Sequence, residues 1–512
     1  MHFVGYNVSN YLIGCVAFLT AAYVYGTWPY SYWRKRGIKG PPMYPFVGDL
    51  LSIVRHGFMK QTIDDINKYG RVHGTFLTRI PTLVVADIEM VRQVCIKQAD
   101  KFTDRTQLGN QPSPLDRGIT VLRGQEWRRV RNLMTPCFTS GRLRAMFPLI
   151  DDSARDLVAQ LSSYIEQGNH DDAVFQPKKD FSNYTMDAIA RTLFAIQINT
   201  HADPNNPFKV NAEMVFNVSL RSPKLILLLM MPKIVGPIYK FFNVNLLPQS
   251  CMDFFINSIR ENLKIRRQSP DSSKFNDFLA SCITAVDQTE TIHDKQVKGL
   301  SEDEVVAQCF TFFLAGFETT ANAMTFVAYL LALHPESQTR CFKEAQAAAS
   351  SGKLDYEGVQ ELKYIGQCID EALRLYPPVV FVDRMCNTTT TINGYEIEAG
   401  TSVRIPTHFL GTDPEVWGDD AAQFNPDRFS PEVAWGRDPL NFVPFGIGQR
   451  NCIGMRLAQL ELRKGLAEVL LNFELLPNDD TPALGKLELK TTGLTATKTP
   501  INLRLKRRSA EK

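Results

Sequence analysis

The stretch Phe445–Gly454 reads F-G-I-G-Q-R-N-C-I-G and leads directly into a run of helical periodicity, Met455–Leu475. Its cysteine, Cys452, therefore lies just before the predicted N-terminus of a helix. Backbone N–H groups and the helix dipole stabilise a thiolate at such a position. A single cysteine is more often a buried thiol without chemistry. The choice between the two interpretations therefore depends on the residues around the sulfur.

The other fixed residues of this stretch suit a sulfur that faces a flat ligand. Gly448 and Gly454 allow the backbone to turn tightly and to approach the ligand closely. The ring of Phe445 can shield the site, and Arg450 can pair with an anionic group of the ligand. Five residues at the spacing F-x-x-G-x-R-x-C-x-G disfavour a thiol without chemistry.

This spacing resembles the haem-binding loop of the cytochrome P-450 superfamily. The resemblance implies haem b as the cofactor, with Cys452 as the axial ligand of its iron and the metal-binding residue of the chain. A thiolate in this position pushes electron density onto the iron. The stretches W-R-R-V-R, A-G-F-E-T-T and R-N-C-I-G-M-R look most like those of the microsomal drug- and steroid-oxidising group and its invertebrate relatives.

Composition allows a large core and gives no sign of nucleic-acid binding. The chain has 512 residues, 44% of them hydrophobic, and 57 basic against 54 acidic residues give a net charge of +3. No basic excess therefore predicts a nucleic-acid partner. The ten cysteines contain no C-x-x-C pair, which favours reduced thiols in a protein facing the cytosol and predicts no zinc site.

The N-terminal segment predicts a membrane anchor. Met1–Trp33 has no Asp, Glu, Lys or Arg, and it is long enough for one bilayer crossing. Arg34–Arg36 follows at once, so the positive-inside rule places the rest of the chain in the cytosol. A cleaved signal peptide would carry its charges before the apolar run instead. The resemblance to microsomal proteins then implies the endoplasmic reticulum membrane, and the N-glycosylation sequons at Asn183, Asn217 and Asn387 should carry no glycan.

Most of the remaining chain has helical periodicity, and strand-like segments are few. They are Gly74–Leu77, Thr82–Val85, Thr391–Ile397 and Ser402–Ile405. The sequence therefore predicts a mainly α fold with a minor β portion, and the resemblance implies the cytochrome P-450 fold over about residues 37–505. We expect a membrane anchor at residues 1–33 and a basic, Pro-rich hinge at residues 34–45. Residues 46–512 form the expected catalytic domain.

One long helix is predicted in the middle of the chain. Ser301 and Glu304 form the pattern of a capping box, and helical periodicity then runs to His334, where Pro335 ends it. At about 1.5 Å per residue this helix is about 50 Å long.

Within that helix, the stretch A-G-F-E-T-T begins at Ala315. Helical spacing puts Phe312, Ala315 and Thr319 on one face, which leaves room beside a flat cofactor. A threonine inside a helix often bonds back to the i−4 carbonyl, so Thr319 has either that role, a role above the cofactor, or both. The stretch resembles the oxygen-activating segment of P-450 monooxygenases, and this implies that Thr319 and Glu318 deliver protons and that Ala315 contacts the haem.

Two further patterns resemble structural and haem-binding elements of the family. Glu371 and Arg374 match its E-x-x-R, whose third member here is Arg428 in P-D-R-F, with Asp427 where Glu is typical. The resemblance implies that these three residues support the haem loop.

Trp127 and Arg131 match the family pattern W-x-x-x-R and are one helical turn apart. The resemblance implies that they reach a haem propionate, as does Arg450. Arg105 and Arg384 are further candidates by position.

The sequence does not identify a substrate. The residues expected to line an apolar pocket are Phe312, Val379, Val380, Phe381, Val382 and Leu494. This lining favours a lipophilic compound such as a xenobiotic, a steroid or a fatty-acid-like molecule. The apolar, proline-interrupted stretch Ser222–Gln249 is either a core segment or a surface that lies against the membrane.

The resemblance implies a monooxygenase that inserts one oxygen atom of O2 into its substrate. Electrons would come from NADPH through NADPH–cytochrome P-450 reductase, with cytochrome b5 as a further partner. Basic residues expected near the docking surface are Arg128, Arg129, Arg142, Arg463 and Lys464. One alternative is a reductase-independent haem-thiolate isomerase or dehydratase of a lipid peroxide, although such members typically lack the Thr that this chain has. Another is a haem protein that only binds a ligand or carries electrons.

Overall fold

The structure is a computed structural model that describes most of the chain. The described ranges are 3–107, 111–168, 172–203, 205–216, 222–242, 244–268, 277–287, 290–292, 295–297, 299–352 and 354–508. Contacts divide the chain into two compact units. Unit 1 comprises Met1–Asn110, Ser219–Val244 and Phe381–Phe409, and unit 2 comprises Gln111–Val218, Asn245–Val380 and Leu410–Lys512.

Helices dominate, as the sequence predicts. In chain order they are α1 (Phe3–Thr27), α2 (Ser31–Lys35), α3 (Leu50–Tyr69), α4 (Ile88–Arg92), α5 (Gly124–Met134), α6 (Ser140–Gly168), α7 (Pro177–Phe194), α8 (Pro207–Phe216), α9 (Pro223–Met230), α10 (Pro232–Phe241), α11 (Gln249–Gln268), α12 (Phe278–Asp287), α13 (Glu302–Leu333), α14 (Pro335–Ser350), α15 (Tyr356–Gln360), α16 (Lys363–Leu375), α17 (Thr407–Thr412), α18 (Pro414–Trp417), α19 (Pro431–Ala434) and α20 (Met455–Asn472).

The strands are short and form small sheets. They are β1 (Val72–Leu77), β2 (Ile80–Val85), β3 (Asp172–Phe175), β4 (Glu290–Ile292), β5 (Lys295–Val297), β6 (Val382–Met385), β7 (Thr390–Ile392), β8 (Tyr395–Ile397), β9 (Ser402–Ile405), β10 (Phe473–Pro477), β11 (Leu489–Lys490), β12 (Ala496–Thr497) and β13 (Leu503–Arg507). The mainly α prediction with a minor β portion is confirmed.

Unit 1 contains the larger sheet, in the order β1-β2-β9-β6. β1 and β2 are antiparallel, β9 joins β2 in parallel, and β6 pairs antiparallel with β9. Three of the four strand-like segments predicted from the sequence lie entirely within strands. The predicted segment Thr391–Ile397 is a hairpin of β7 and β8, in which Asn393 and Gly394 both have positive φ (48° and 81°). Glycine suits such a turn because it has no Cβ to clash.

Unit 1 also contains the predicted anchor. The described part of the chain has one helix that is long and apolar enough to cross a membrane, within Asn10–Lys35. Its large apolar side chains are exposed, among them Tyr11, Leu12, Phe18 and Leu19. An apolar helix with exposed side chains is compatible with a membrane span, because a helix in the core of a soluble protein would bury them.

Unit 2 is built around α13, which packs along α7 and also contacts α16 and α20. The capping box is confirmed, since Glu304 N–H donates to Ser301 Oγ (3.3 Å) and Ser301 N–H donates to the Glu304 carboxylate (2.8 Å). The helix ends at Leu333 and the next helix starts at Pro335, as the sequence predicts. Buried aromatic rings on both sides of its centre, such as Phe313 and Phe326, anchor it in the core.

Candidate active site

The Phe445–Gly454 segment, here called the sulfur loop, is a tight turn before α20. Cys452 N–H donates to the carbonyl of Phe445 (2.7 Å), which brings the two ends of the loop together. Gly446 and Gly448 have φ values of 75° and 67°. Glycine is therefore needed at both positions, because other residues are strained there. The predicted helix begins at Met455 with Gly454 as its N-cap, but it ends at Asn472, and Phe473 instead starts β10.

Exposure separates Cys452 from the other cysteines of unit 2. Cys452 is exposed, whereas Cys137, Cys251, Cys282, Cys309, Cys341 and Cys368 are all buried. A Cβ added to Gly454 would meet no atom within 4 Å, so open space lies beside the loop as well. The sulfur thus has room for a ligand, unlike the thiols that fill the core.

Arg450 connects the sulfur loop to the chain segment before α5. Its guanidinium donates to the carbonyls of Ile119 (3.0 Å) and Leu122 (2.7 Å) and lies 4.0 Å from the ring centre of Trp127. Both Arg450 and Trp127 are buried. The structure therefore brings together two residues that the sequence assigns to the same cofactor through separate motifs.

Arg131 reaches the same loop from α5. Its guanidinium donates to the backbone carbonyl of Asn451 (3.0 Å) and to the side-chain oxygen of Asn451 (2.8 Å). The sequence did not predict a role for Asn451, and the loop pattern leaves that position variable. Arg131 thus holds the loop at Asn451, and Arg450 holds it at the preceding position.

The centre of α13 is accessible, whereas the rest of the helix is mostly buried. This accessible part, Ala315–Thr319, is here called the opening. Ala315 is exposed, and Glu318 and Thr319 are half-buried, although the segments before and after them are almost entirely buried. Thr319 Oγ donates to the carbonyl of Ala315 (2.6 Å). The hydrogen bond to the i−4 carbonyl, which was one of the two roles expected of Thr319, is therefore observed. The hydroxyl lies at the edge of the opening.

Glu318 has a partner that sequence reasoning missed. Its carboxylate lies 2.8 Å from Nζ of Lys178 at the start of α7. Burial lowers the pKa of Lys178, and the negative charge of Glu318 opposes that shift. The two residues are 140 positions apart in the chain, so no local pattern indicates the pair.

The predicted supporting residues meet in one buried cluster. Arg374 donates two hydrogen bonds to the carboxylate of Glu371 (2.6 and 2.7 Å), and Nε of Arg428 lies 3.5 Å from the same carboxylate. Burial raises the pKa of Glu371, and Arg374 opposes the shift. Asp427, the departure from the family pattern, lies outside the cluster and pairs with Arg340 (2.9 Å) at the surface.

Arg374 also fixes the loops that follow α16. It donates to the backbone carbonyls of Gly411 (2.9 Å), Ala421 (2.7 Å) and Gln423 (3.1 Å). Asn425 N–H in turn donates to Glu371 (2.8 Å). The cluster therefore holds long stretches of irregular backbone, which agrees with the predicted structural role.

The remaining predicted site residues are divided between the units. Arg105 and Arg384 belong to unit 1, where Arg384 donates to the carbonyl of Asp383 (2.7 Å). Phe381 and Val382 also belong to unit 1, and Phe381 packs against Phe58 with ring centres 4.8 Å apart. The assignments of these residues remain predictions.

The other pocket candidates lie in unit 2 and differ in exposure. Val379 is exposed, Leu494 is half-buried and Val380 is buried. Phe312 is buried and packs edge-on against Phe138 (5.4 Å) and Phe278 (5.0 Å). Its ring thus belongs to an aromatic cluster in the core, a contact that helical spacing alone did not indicate.

These features together fit a haem. An exposed sulfur on a glycine loop suits an iron ligand, the buried guanidinium of Arg450 on the loop and the half-buried one of Arg131 beside it suit anionic propionates, and the opening in α13 suits a flat ring. The arrangement is the one expected of a haem-thiolate protein.

Comparison with known proteins gives the same class. The family model for cytochrome P450 matches residues 38–505. Cytochrome P450 3A40 of Oryzias latipes is 32% identical over 497 residues, covering 97% of this chain and 96% of the relative. Cytochrome P450 3A9 of Rattus norvegicus is 34% identical over 489 residues (95% and 94%), and cytochrome P450 3A5 of Homo sapiens is 33% identical over 500 residues (97% and 96%). The chain belongs to the cytochrome P450 family and is a haem-thiolate monooxygenase.

Proposed function

We propose that this monooxygenase oxidises a lipophilic organic compound, such as a xenobiotic, a steroid or a fatty-acid-like molecule. We further propose that its electrons come from NADPH through a membrane-bound P-450 reductase, with cytochrome b5 as a second donor. The observation that carries the proposal is the exposed sulfur of Cys452 in the same unit as the opening at Ala315–Thr319. The similarity to cytochromes P450 of the 3A group supports it.

In this proposal the sulfur loop binds the haem, which when bound supplies the activation of O2. Cys452 is the thiolate ligand, and the N–H group that it donates to Phe445 keeps the loop closed around the sulfur. Arg450, Trp127 and Arg131 would hold the propionates, because their guanidinium and indole groups already meet at this loop. Charge-assisted hydrogen bonds of this kind are stronger than neutral ones.

Ala315, Glu318 and Thr319 would then face the cofactor from α13. Thr319 Oγ donates a hydrogen bond to the carbonyl of Ala315, so its lone pairs can accept a hydrogen bond from a neighbouring donor. To pass a proton on, the hydroxyl must turn its own hydrogen from that carbonyl toward the opening. Glu318 is the nearest acid in the sequence and is held by Lys178. We infer that Glu318 supplies protons from the protein interior and that Thr319 passes them into the opening.

We also propose that α1 anchors the protein in the endoplasmic reticulum membrane with the chain after Arg36 in the cytosol. Arg34–Arg36 follows the apolar helix, in agreement with the positive-inside rule. α10 exposes Ile234, Ile238 and Phe241, and Phe242 follows it, which suits a surface that lies against lipid.

The orientation can be tested with the sequons. Asn387 is exposed, so it would accept a glycan if the body faced the lumen, whereas Asn183 is buried in α7 and Asn217 lies outside the described residues. We expect no glycan on Asn387 in cells, as measured by the mobility of the protein before and after glycosidase treatment. A glycan there would overturn the proposed orientation.

Two measurements test the enzymatic proposal. Reduced protein with carbon monoxide should show the red-shifted Soret band of thiolate ligation, and Cys452→His should lose that band. NADPH consumption should require added reductase and should rise when a substrate is present. Turnover of a lipid peroxide without reductase, or ligand binding with no NADPH use, would favour one of the alternative functions instead.

A further inference from the structure

Gln308 in α13 holds a backbone segment that lies between α13 and the sulfur loop. Its side chain is fully buried. The amide oxygen accepts a hydrogen bond from Ile119 N–H (2.8 Å), and the amide nitrogen donates to the carbonyl of Arg117 (2.7 Å). The same nitrogen also donates to the carbonyl of Glu304 in α13 (3.2 Å). One side chain therefore ties the segment, residues 117–122, to the long helix.

The same segment packs tightly against α13. A Cβ added to Gly118 would lie 2.6 Å from Oγ1 of Thr311 and 3.7 Å from the carbonyl oxygen of Ala307. Glycine is therefore needed where the backbone comes this close to the helix. Ala307, Thr311 and Ala315 are spaced four residues apart, so the segment packs on the helix face that leads to the opening.

Arg450 of the sulfur loop binds the same segment. Its guanidinium donates to the carbonyls of Ile119 (3.0 Å) and Leu122 (2.7 Å), and both Ile119 and Arg450 are buried. The backbone of Ile119 thus connects two elements of the site, since its N–H binds Gln308 in α13 and its carbonyl binds Arg450. Hydrogen bonds from a charged donor are strong and geometrically specific, so the position of these carbonyls determines the position of the guanidinium.

Removal of the Gln308 amide would take from the Ile119 N–H its partner in α13. A buried N–H group without a hydrogen bond is costly, so we expect the segment to move toward other partners. The carbonyls of Ile119 and Leu122 belong to the same short segment and would move with it. Arg450, which donates to both carbonyls, would then lose its fixed position.

We propose that Gln308 is a positioning residue for Arg450 and that, through Arg450, it raises the midpoint potential at which the haem iron is reduced. This role rests on the proposed contact of Arg450 with a haem propionate. Reduction adds one negative charge to the haem, and a cation stabilises that charge more strongly when it is held closer. A guanidinium that is no longer fixed at the propionate is on average farther from it, so the potential falls.

A matched pair of variants tests this role in the purified haem-loaded enzyme. Gln338 is a second buried glutamine of unit 2, and its amide binds the N–H and the carbonyl of Leu475 (2.8 Å each), which joins α14 to β10. Gln308→Met and Gln338→Met each remove the amide and keep the length of the side chain. Spectroelectrochemical titration measures the ratio of reduced to oxidised haem at a fixed electrode potential. We expect an about threefold lower ratio in Gln308→Met and the wild-type ratio in Gln338→Met.

Hydrogen–deuterium exchange locates the change. The peptide that covers residues 117–122 should exchange faster in Gln308→Met than in the wild type, and at the wild-type rate in Gln338→Met. Gly118→Ala pushes the segment away from Thr311 without removing a hydrogen bond, so it should lower the haem ratio in the same direction. It takes the place of Gln308→Met if that variant does not load haem. Unchanged exchange together with an unchanged ratio would overturn the proposal.

Arg450→Met separates the role of Gln308 from the proposed propionate contact. It should lower the ratio about tenfold, and Gln308→Met should cause no further fall in that background, because the guanidinium through which it acts is absent. Arg450→Lys, whose single ammonium cannot hold both carbonyls, serves as the background if Arg450→Met does not load haem. An unchanged potential in Arg450→Met would contradict the propionate contact and the role of Gln308 with it. A lower ratio in Arg450→Met but not in Gln308→Met, an equal fall in Gln338→Met, or additive effects in the double variant would overturn the role of Gln308 alone.

Discussion

Two ion pairs of unit 2 have similar short contacts and very different surroundings. Glu371 and Arg374 are 2.6 Å apart with both side chains 0% exposed, and backbone groups from several loops complete their hydrogen bonds. Lys178 and Glu318 are 2.8 Å apart with side chains 31% and 17% exposed. A fully enclosed pair cannot open without leaving a buried charge, whereas a pair at the edge of an opening can exchange its partner for water or a proton donor.

A third acid of unit 2 extends the comparison of carboxylates and their partners. Glu461 in α20 is 1% exposed, and its Oε1 has no hydrogen-bond partner within the residues that the structure describes. Burial raises the pKa of Glu461 to about 8. Glu371 is thus a buried acid with two arginines, Glu318 is a half-buried acid with one lysine, and Glu461 is a buried acid that keeps its proton at neutral pH. The three acids therefore differ in whether a cation lies beside them, and not in burial alone.

The largest effect is expected when the enclosed pair is broken. Glu371→Ala leaves Arg374 charged and buried, which should cost about 3–5 kcal/mol of stability. Thermal unfolding and the yield of the carbon monoxide complex should both fall sharply. Asp427→Ala is the control, because it breaks the exposed Arg340–Asp427 pair and should cost less than about 1 kcal/mol. If Glu371→Ala had the stability of the wild type, this result would contradict the proposed structural role of Glu371.

The next effect concerns Glu461 and pH. The ordinary pKa of 4.5 rises to about 8 in the folded protein, so between these values the folded state keeps a proton that the unfolded chain has lost. Stability therefore falls as pH rises through this range, by about 1.4 kcal/mol per pH unit from this group.

Glu461→Gln should accordingly raise the thermal unfolding midpoint at pH 7 and flatten its dependence on pH between 6 and 8. Glu468 lies about two helical turns after Glu461 and pairs with Lys464 (2.6 Å). Glu468→Gln should not flatten the pH dependence. The same slope in wild type and in Glu461→Gln would mean that Glu461 is ionised in the folded state.

Thr319→Ala is expected to change stability less, but to change the products of the reaction clearly. Thr319→Ala removes one hydrogen bond, worth about 1 kcal/mol, and should leave haem loading and substrate binding nearly intact. NADPH use should continue, yet the ratio of oxidised product to hydrogen peroxide should fall at least about tenfold.

Thr325→Ala is the matched control for that experiment. Thr325 Oγ donates to the carbonyl of Ala321 (2.7 Å) in the same helix, but this residue is buried away from the opening. The ratio of product to peroxide should remain that of the wild type in Thr325→Ala. If both variants uncouple equally, the effect comes from the helix backbone and not from a hydroxyl in the opening.

The smallest effect is expected at the open pair. Lys178→Met should change stability by less than about 1 kcal/mol because the pair is partly exposed. Haem loading should be retained, and coupling should not fall, since the Glu318 carboxylate no longer has to leave a cation before it takes up the proton that it passes on. Thermal unfolding and product per NADPH measure both outcomes. A destabilisation as large as that of Glu371→Ala would show that the two pairs have the same role.

Patterns of residues close together in the sequence were sufficient to predict the features that depend on interactions between those residues. The spacing of the sulfur loop, the capping box at Ser301, the stop at Pro335 and the apolar helix near the N-terminus all depend on residues within a few turns of each other. For the same reason three of the four strand segments were predicted correctly, whereas the end of α20 at Asn472 was not, because pairing of β10 with β13 ends the helix.

The sequence alone therefore determined the class of this protein, its candidate cysteine ligand, its long central helix and its candidate anchor. Only the tertiary structure decided which residues surround these elements: Lys178 beside Glu318, Asn451 beside Arg131, Phe312 in an aromatic cluster, and Gln308 beside Ile119. The physical reason is chain distance, since caps and helical faces follow from neighbouring residues, while ion pairs and long-range hydrogen bonds arise from segments that meet only when the chain has folded.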